Sequence, residues 1–442
     1  MGLARILRLT ARPGAVPRPE EHPGTRRLIS ICRSLVAESG VSNSALATEA
    51  LRAYEGLDAP SRLAFFHALL KEFSPSPDDV RVAAETYHRD PSAHNLQLLQ
   101  QVVEPPRQEL FRRLNMTPGG TRALVELRRQ MLLEVDAHPE LEPISADLCH
   151  LLASWFNSGF LTLERIDWRS PAAILEKLIA YEAVHQIQGW EDLRRRLAAD
   201  RRCYAFFHSA LPGEPLIFIE VALARGISAS IQPLIDPDAP VGDPEQADSA
   251  IFYSITNCQR GLRGVAFGSS LIQQVVEDIR KNLPRIRNYA TLSPVPGFRK
   301  WLTQELADPA SAVSDEETRE AEAMIGRSEW EEDAKQRLLA ACAYYLLHGK
   351  RDNEALDPVA RFHLKNGARL ERINWMADLS PTGIAQSAGM MANYVYDPGD
   401  LQKNHESYMR SGAVSASGRV ERLARQIAKP RNTSWLSRHF TF

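Results

Sequence analysis

No stretch of the 442 residues approaches the roughly 18 uninterrupted apolar residues that span a bilayer, so no helical membrane span is expected. The five cysteines, Cys32, Cys149, Cys203, Cys258 and Cys342, are scattered, with no CxxC pair and no zinc-type spacing. That excludes a disulfide framework and reads as free thiols in a reducing compartment, most of them small buried hydrophobes. There is no HExxH, and His185, His208 and His363 fall in different segments, so no metal site is expected. Net charge is only −2, and nothing in the bulk charge favours nucleic acid. A P-loop, a GxGxxG turn and a GxSxG elbow are all missing, the last arguing against an acyl-serine hydrolase. What is present is ample apolar material, 44% of the chain, enough for two or three cored domains.

The stretch through Arg27 carries six arginines, four prolines and no acid before Glu20. It can pass for an organellar transit peptide, but a frayed basic N-terminus is the plainer reading. The C-terminal Arg438-His439-Phe440-Thr441-Phe442 carries no peroxisomal address. The expected location is cytoplasmic, with the mitochondrial matrix as the alternative if the basic segment is a transit peptide.

Residues 27 to about 165 read as helix after helix with short polar breaks, which argues for a bundle. Ser42-Asn43-Ser44 offers N-caps, Pro60-Ser61 opens a helix with Leu63, Phe66, Leu69, Leu70 and Phe73 on one face, and Ser74-Pro75-Ser76-Pro77 ends it. The pattern changes after Ser170-Pro171. Residues 203–207 and 216–223 read as a hairpin about Leu211-Pro212-Gly213-Glu214-Pro215, and 235–248 as an exposed loop. Ala250 to Ile255 is a third strand. It runs into the glycine turn 261–268 and then a helix with Leu271, Ile272, Val275, Val276, Ile279 and Leu283 on one face. Tyr289 to Leu292 is a fourth strand ending at Ser293, residues 305–350 return to helix, and Arg369 to Met376 reads as a last strand. The second half is therefore mixed α/β.

Three pieces of this half carry chemistry. A helix N-terminus with unpaired N–H groups binds phosphate, Gly264 and Gly268 permit close backbone approach, and Arg260 and Arg263 add charge. The same pattern also describes a tight turn with surface arginines. Ser293 sits between Leu292 and Pro294-Val295-Pro296, in a turn with few alternative conformations, which makes either a well-held hydroxyl or an ordinary Ser-Pro turn. His363 lies on a short helix between Asp357-Pro358, an N-cap with proline at the first helical position, and the stop Asn366-Gly367. It is either a packed core histidine or a group for proton transfer near neutral pH. Residues 370–396 are dense in polar and aromatic groups, and a structural hydrogen-bond network is the default for them. On a strand, Tyr394 and Tyr396 would share a face.

Taken together these segments resemble the malonyl-CoA decarboxylase family. The resemblance is carried by Leu211 to Leu216, Ile251 to Ile255, Gly261 to Gly268, Leu292 to Phe298, Pro358 to Ala368, Arg372 to Asp378 and Met391 to Tyr394. In the helical half it rests on Leu151 to Phe156 and Ala183 to His185. It covers about 27 to 427 and is strongest after 200.

The resemblance implies an α+β chain: a flexible basic segment over 1–26, a helical oligomerisation domain over 27–168, and an N-acetyltransferase-like mixed α/β catalytic domain over 169–442. It implies conversion of malonyl-CoA to acetyl-CoA and CO2 without metal or organic cofactor, by a homo-oligomer (dimer or tetramer) assembled through the helices, with no nucleic-acid or membrane partner. Ser293 and His363 match the family's catalytic serine and histidine, and Tyr396 a tyrosine associated with them. Arg263, Gly264, Val265, Ala266, Phe267, Gly268 and Ser269 match its CoA-binding loop. Some members carry glutamate at the position of Ala266, so here any acid supporting His363 comes from elsewhere or is absent. The same cradle also suits a CoA-dependent acyltransferase or a non-catalytic acyl-CoA sensor.

Overall fold

The computed structural model describes residues 22–37, 43–265, 271–326 and 331–428. The chain divides into two compact units. The first is helical and runs to Leu161, joined by residues 207–214 and 259–265 from later in the chain. Its described helices are Pro23–Ala37, Asn43–Glu55, Ala59–Glu72, Pro77–Arg89, Ala93–Val103, Pro106–Asn115, Gly120–Glu134 and Glu142–Trp155. The caps are those the sequence advertises: Asp58 accepts from the Ser61 N–H, and Ser76 and Ser92 accept from Asp79 and Asn95. The first helix opens at Pro23, four residues before the expected Arg27, and Thr25 is pinned by its hydroxyl to the Ser61 carbonyl at 2.8 Å. Phe65, Phe66, Leu69, Leu110, Leu124 and Leu152 lie in its core. No described helix is long and apolar enough to cross a membrane.

The second unit is built on one sheet. Its strands are β1 (Leu161–Ile166), β2 (Arg201–His208), β3 (Ile217–Ala224), β4 (Ser249–Asn257), β5 (Asn288–Thr291), β6 (Ser293–Pro294), β9 (Arg369–Asn374) and β10 (Met391–Val395). A separate ribbon pairs β7 (Lys350–Arg351) with β8 (Glu354–Ala355). The sheet order is β1-β2-β3-β4-β5-β10-β6, with β9 on β10. The expected hairpin is β2–β3, with Arg201 opposite Ala222. β4 and β5 pair in parallel, and the segment between them contains the helix Leu271–Asn282. The ladder between them stops at Phe252 opposite Thr291. Beyond it, β4 continues against β3, while Ser293 turns to pair with Ala392 of β10. No ladder joins β4 to β6 among the described residues. The sheet therefore splits after Leu292, and Ser293 is the first residue past the split.

Four expectations are corrected. Leu161–Ile166 is a strand, not helical scaffold, and its alternating exposure is that of a polar edge strand. Residues 305–350 are not one helical run. Phe298–Ala307, Glu316–Ala323 and Glu332–His348 are separate, and Asp315 caps the second by accepting from the Thr318 N–H. The strand from Arg369 ends at Asn374, because Met376 takes a positive φ of 47° that extended pairing does not allow. It is not the last strand: β10 follows, paired to it from Met391 opposite Asn374 to Val395 opposite Arg369.

Candidate active site

Ser293, His363 and Tyr396 come from three segments, and the fold joins them in one hydrogen-bonded row. Ser293 Oγ lies 2.9 Å from His363 Nε2, and His363 Nδ1 lies 2.8 Å from the Tyr396 hydroxyl. All three side chains are buried. Ser293 Oγ also bonds Thr291 Oγ1 at 2.9 Å, and Thr291 Oγ1 accepts the Tyr394 backbone N–H at 3.1 Å. The Tyr394 ring stacks on the imidazole, with centroids 4.6 Å apart and planes 27° apart. Tyr394 and Tyr396 thus both meet His363, as strand alternation requires.

The helix Pro358–Lys365 delivers the histidine. Asp357 Oδ1 accepts from the Val359 and Ala360 N–H groups at 3.0 Å, a cap worth about 1 kcal/mol. Its other oxygen accepts the Gly297 N–H at 3.1 Å. One carboxylate therefore fixes both the start of the His363 helix and the end of the Ser293-Pro294-Val295-Pro296 turn. Burial pushes the Asp357 carboxyl up from its ordinary range, opposed by these three N–H donors.

His363 is electrically isolated. Burial alone pulls it down to about 3, so the imidazole is neutral at pH 7. Burial likewise raises the Tyr396 hydroxyl well above its ordinary value. No carboxylate bonds the ring among the described residues; the position facing Nδ1 is taken by the Tyr396 hydroxyl. One tautomer satisfies every bond in the row. The Tyr396 O–H has no acceptor but Nδ1 among the described residues, so the ring hydrogen sits on Nε2 and is donated to Ser293 Oγ. Ser293 then donates to Thr291 Oγ1. The row is polarised from Tyr396 toward Ser293.

The expected CoA loop divides differently. Ala266, Phe267, Gly268 and Ser269 lie outside the described residues, as does Ser270. Arg263, Gly264 and Val265 belong to the helical unit. Gly264 takes φ 82°, a conformation that needs glycine, and Arg263 is exposed while Val265 is buried. Gly261 serves packing rather than an anion: a Cβ there would meet the Val125 carbonyl oxygen at 2.0 Å, and Arg128 donates to the Gly261 carbonyl at 2.6 Å.

Sequence reasoning missed Thr291 and underused Asp357 and Asn393. Asn393 donates to the Thr291 carbonyl at 2.7 Å and its Oδ1 accepts from Asn374 at 2.8 Å and Arg372 at 3.1 Å. The polar network expected over 370–396 is thus real, and it backs the strand that carries Thr291. The signal for Thr291 was its spacing, two before Ser293 on what reads as one strand.

Family profiles described as the malonyl-CoA decarboxylase C-terminal and N-terminal domains match residues 159–434 and 73–156. The chain belongs to the malonyl-CoA decarboxylase family. Within that family, the mitochondrial malonyl-CoA decarboxylase of Anser anser anser is 40% identical over 414 residues, covering 84% of this chain and 82% of that protein. Crystal structures of malonyl-CoA decarboxylases from Rhodopseudomonas palustris and Agrobacterium vitis are 46% and 43% identical, with TM-scores of 0.84 and 0.82. Each alignment covers 90% of this chain and 99% of the other. The Ser293–His363–Tyr396 row lies wholly inside the segment matched by the family's C-terminal domain.

Proposed function

We propose that this chain decarboxylates malonyl-CoA to acetyl-CoA and CO2 at the Ser293–His363 pair. Its family membership supports the reaction, and the buried neutral row ending at Ser293 Oγ supports the site. The reaction cleaves the bond between the carboxylate and the α-carbon. The bonding electrons pass into a thioester enolate, CO2 leaves, and one proton must reach the carbon. A site that excludes water destabilises the carboxylate relative to the charge-spread enolate. Donors preorganised at the thioester oxygen lower the barrier by several kcal/mol.

An imidazole held near pKa 3 is not a reservoir of imidazolium at neutral pH. The proton therefore comes from the end of the row: Ser293 O–H gives it to carbon, His363 Nε2–H refills the serine as the Tyr396 O–H passes its proton to Nδ1, and a proton from solvent restores Tyr396 after CO2 leaves. Among the described residues β5 pairs with β4 no further than Phe252, so the Ser254–Thr256 stretch of β4 has no strand on that side. An amide-bearing pantetheine arm can pair there as a strand does. By the family resemblance, residues 263–269 are assigned the CoA pyrophosphate. The test is CO2 release from malonyl-CoA supplied with no acceptor amine. Ser293→Ala and His363→Asn should each slow it by about 10²–10⁴-fold, the range of a lost proton-transfer group. Rates within about threefold of the parent would sink the assignment.

The helical unit is proposed to assemble copies of the chain. Helices Pro77–Arg89 and Ala93–Val103 bury none of their residues, yet carry Val82, Leu96, Leu98 and Val103 at 39–53% exposure. Apolar positions left open on a helical pair suit a second copy. Leu96→Asp with Leu98→Asp should lower the mass measured by light scattering; an unchanged oligomer would refute the contact.

A further inference from the structure

A cavity of about 520 Å³ lies in the α/β unit among strand β9 and the helices Glu332–His348 and Gly418–Ala428. Its size suits a small molecule. Lys335, Arg372, Arg419 and Arg422 line it, Trp375 contributes an aromatic wall, and no carboxylate is among its lining residues. Arg419 and Arg422 are three apart on one helix and so share a face. They are exposed and make no hydrogen bond or ion pair among the described residues. Arg372 is instead pre-positioned: Nε donates to Asn393 Oδ1 at 3.1 Å and Nη2 to the Ile227 and Ser228 carbonyls at 2.9 and 3.2 Å. Lys335 is held by Glu332 at 3.1 Å. Burial first, and then the neighbouring Arg419 charge, act against the Arg372 cation, with Glu371 acting in its favour.

Arg419 and Arg422 carry no acidic partner among the described residues and line the same cavity as Arg372, and guanidinium forks match phosphate oxygens in pairs. We propose that this groove binds a phosphorylated small-molecule anion, with Arg419 and Arg422 as its charged clamp and Arg372 as its floor. The anion can be a free phosphorylated metabolite or the nucleotide end of a CoA thioester, and the two sources are separable.

The experiment titrates the full chain with inorganic pyrophosphate and, separately, with adenosine 3′,5′-bisphosphate. It uses isothermal calorimetry against potassium chloride of matched ionic strength. The parent should show saturable binding of at least one probe, and Arg419→Ala/Arg422→Ala should weaken it by about tenfold or more with melting temperature unchanged. If KM for malonyl-CoA rises by a similar factor in that variant, the occupant is the substrate's own nucleotide end. If KM is unchanged while binding is lost, the occupant is a separate phosphorylated metabolite. Binding of equal strength in the variant, or no saturable heat with either probe, overturns the proposal.

Discussion

Two buried polar clusters sit in the same α/β unit and are built on opposite electrostatic plans. Around Arg196, charge meets charge. Its Nε bonds Asp192 Oδ1 at 2.9 Å and its Nη1 bonds Glu220 Oε2 at 3.0 Å, while Arg195 grips both oxygens of Asp200 at 2.8 and 3.0 Å. Around His363 no charged group makes contact; Ser293, Thr291, Tyr394 and Tyr396 are all neutral. The first plan suits a fixed scaffold, because moving any member strands a buried charge. The second suits chemistry, because no counterion holds the proton in place. The difference also separates expected phenotypes: the charged cluster should govern stability, and the neutral row should govern rate.

The largest expected effect is on the charged side. Arg196→Ala leaves Asp192 buried without its cation and Glu220 without its hydrogen-bond donor, and should cost about 3–5 kcal/mol of unfolding free energy in urea. Loss below about 1 kcal/mol would show that the cluster is not load-sharing and would collapse the contrast. His363→Asn, by comparison, strands no charge and should cost only about 1–3 kcal/mol at pH 7, the loss of buried hydrogen-bond partners.

Titration sharpens the contrast, because the two clusters respond to pH with opposite sign. The folded state holds His363 near 3, below the ordinary 6.5, so between those values the unfolded chain binds the extra proton. Stability is then lost as pH falls, by up to about 1.4 kcal/mol per pH unit. Burial first, with Glu182 and Asp192 nearby, pushes Glu220 up to about 8 against the pull of Arg196. Here the folded state holds the extra proton, and stability declines as pH rises from about 4.5 to about 8. His363→Asn should flatten the acid limb of a plot of unfolding free energy against pH, and Glu220→Gln the upper limb. Parallel curves for either variant and the parent would remove that residue from the account.

Much of this was legible in the residues. The hairpin, the Asp357-Pro358 cap and the Ser293 and His363 positions lie on local signals: punctuation by proline and glycine, and capping chemistry. Non-local features were hidden. Thr291 looks like any strand threonine until β10 brings the Tyr394 N–H to its hydroxyl. Gly261 reads as part of an anion turn until Val125 is found where its Cβ would be. The break at Met376 and the late strand β10 depend on pairing between segments, which no local pattern records. Charge neutrality at His363 was unreadable for the same reason: the residues that bond or stack on it come from two other stretches of chain, 291–293 and 394–396.

Within the neutral row, the step from Tyr396 to His363 should matter more than the step from Ser293 to Thr291. Tyr396→Phe removes the only hydroxyl facing Nδ1 and frees the ring to place its hydrogen on either nitrogen. Losing one buried hydrogen-bond partner costs about 1–3 kcal/mol, so kcat should fall by about tenfold or more while KM for malonyl-CoA holds. A rise in KM without a fall in kcat would make Tyr396 a packing residue instead.

The smallest effect is expected at Thr291. Valine keeps its shape and removes the oxygen that accepts from Ser293 and from the Tyr394 N–H. If Ser293 rests on Thr291 only until substrate arrives, the hydroxyl loses a ground-state partner and not a transition-state one. Then kcat should change by no more than about threefold to fivefold, with the loss appearing instead as about 1 kcal/mol of stability from the unpaired Tyr394 N–H. Thr291→Ser, which restores the oxygen, should recover that stability. A Thr291→Val defect as deep as that of Ser293→Ala would show that the serine acts through the threonine, and that the row does not end where the polarity of its hydrogen bonds places its end.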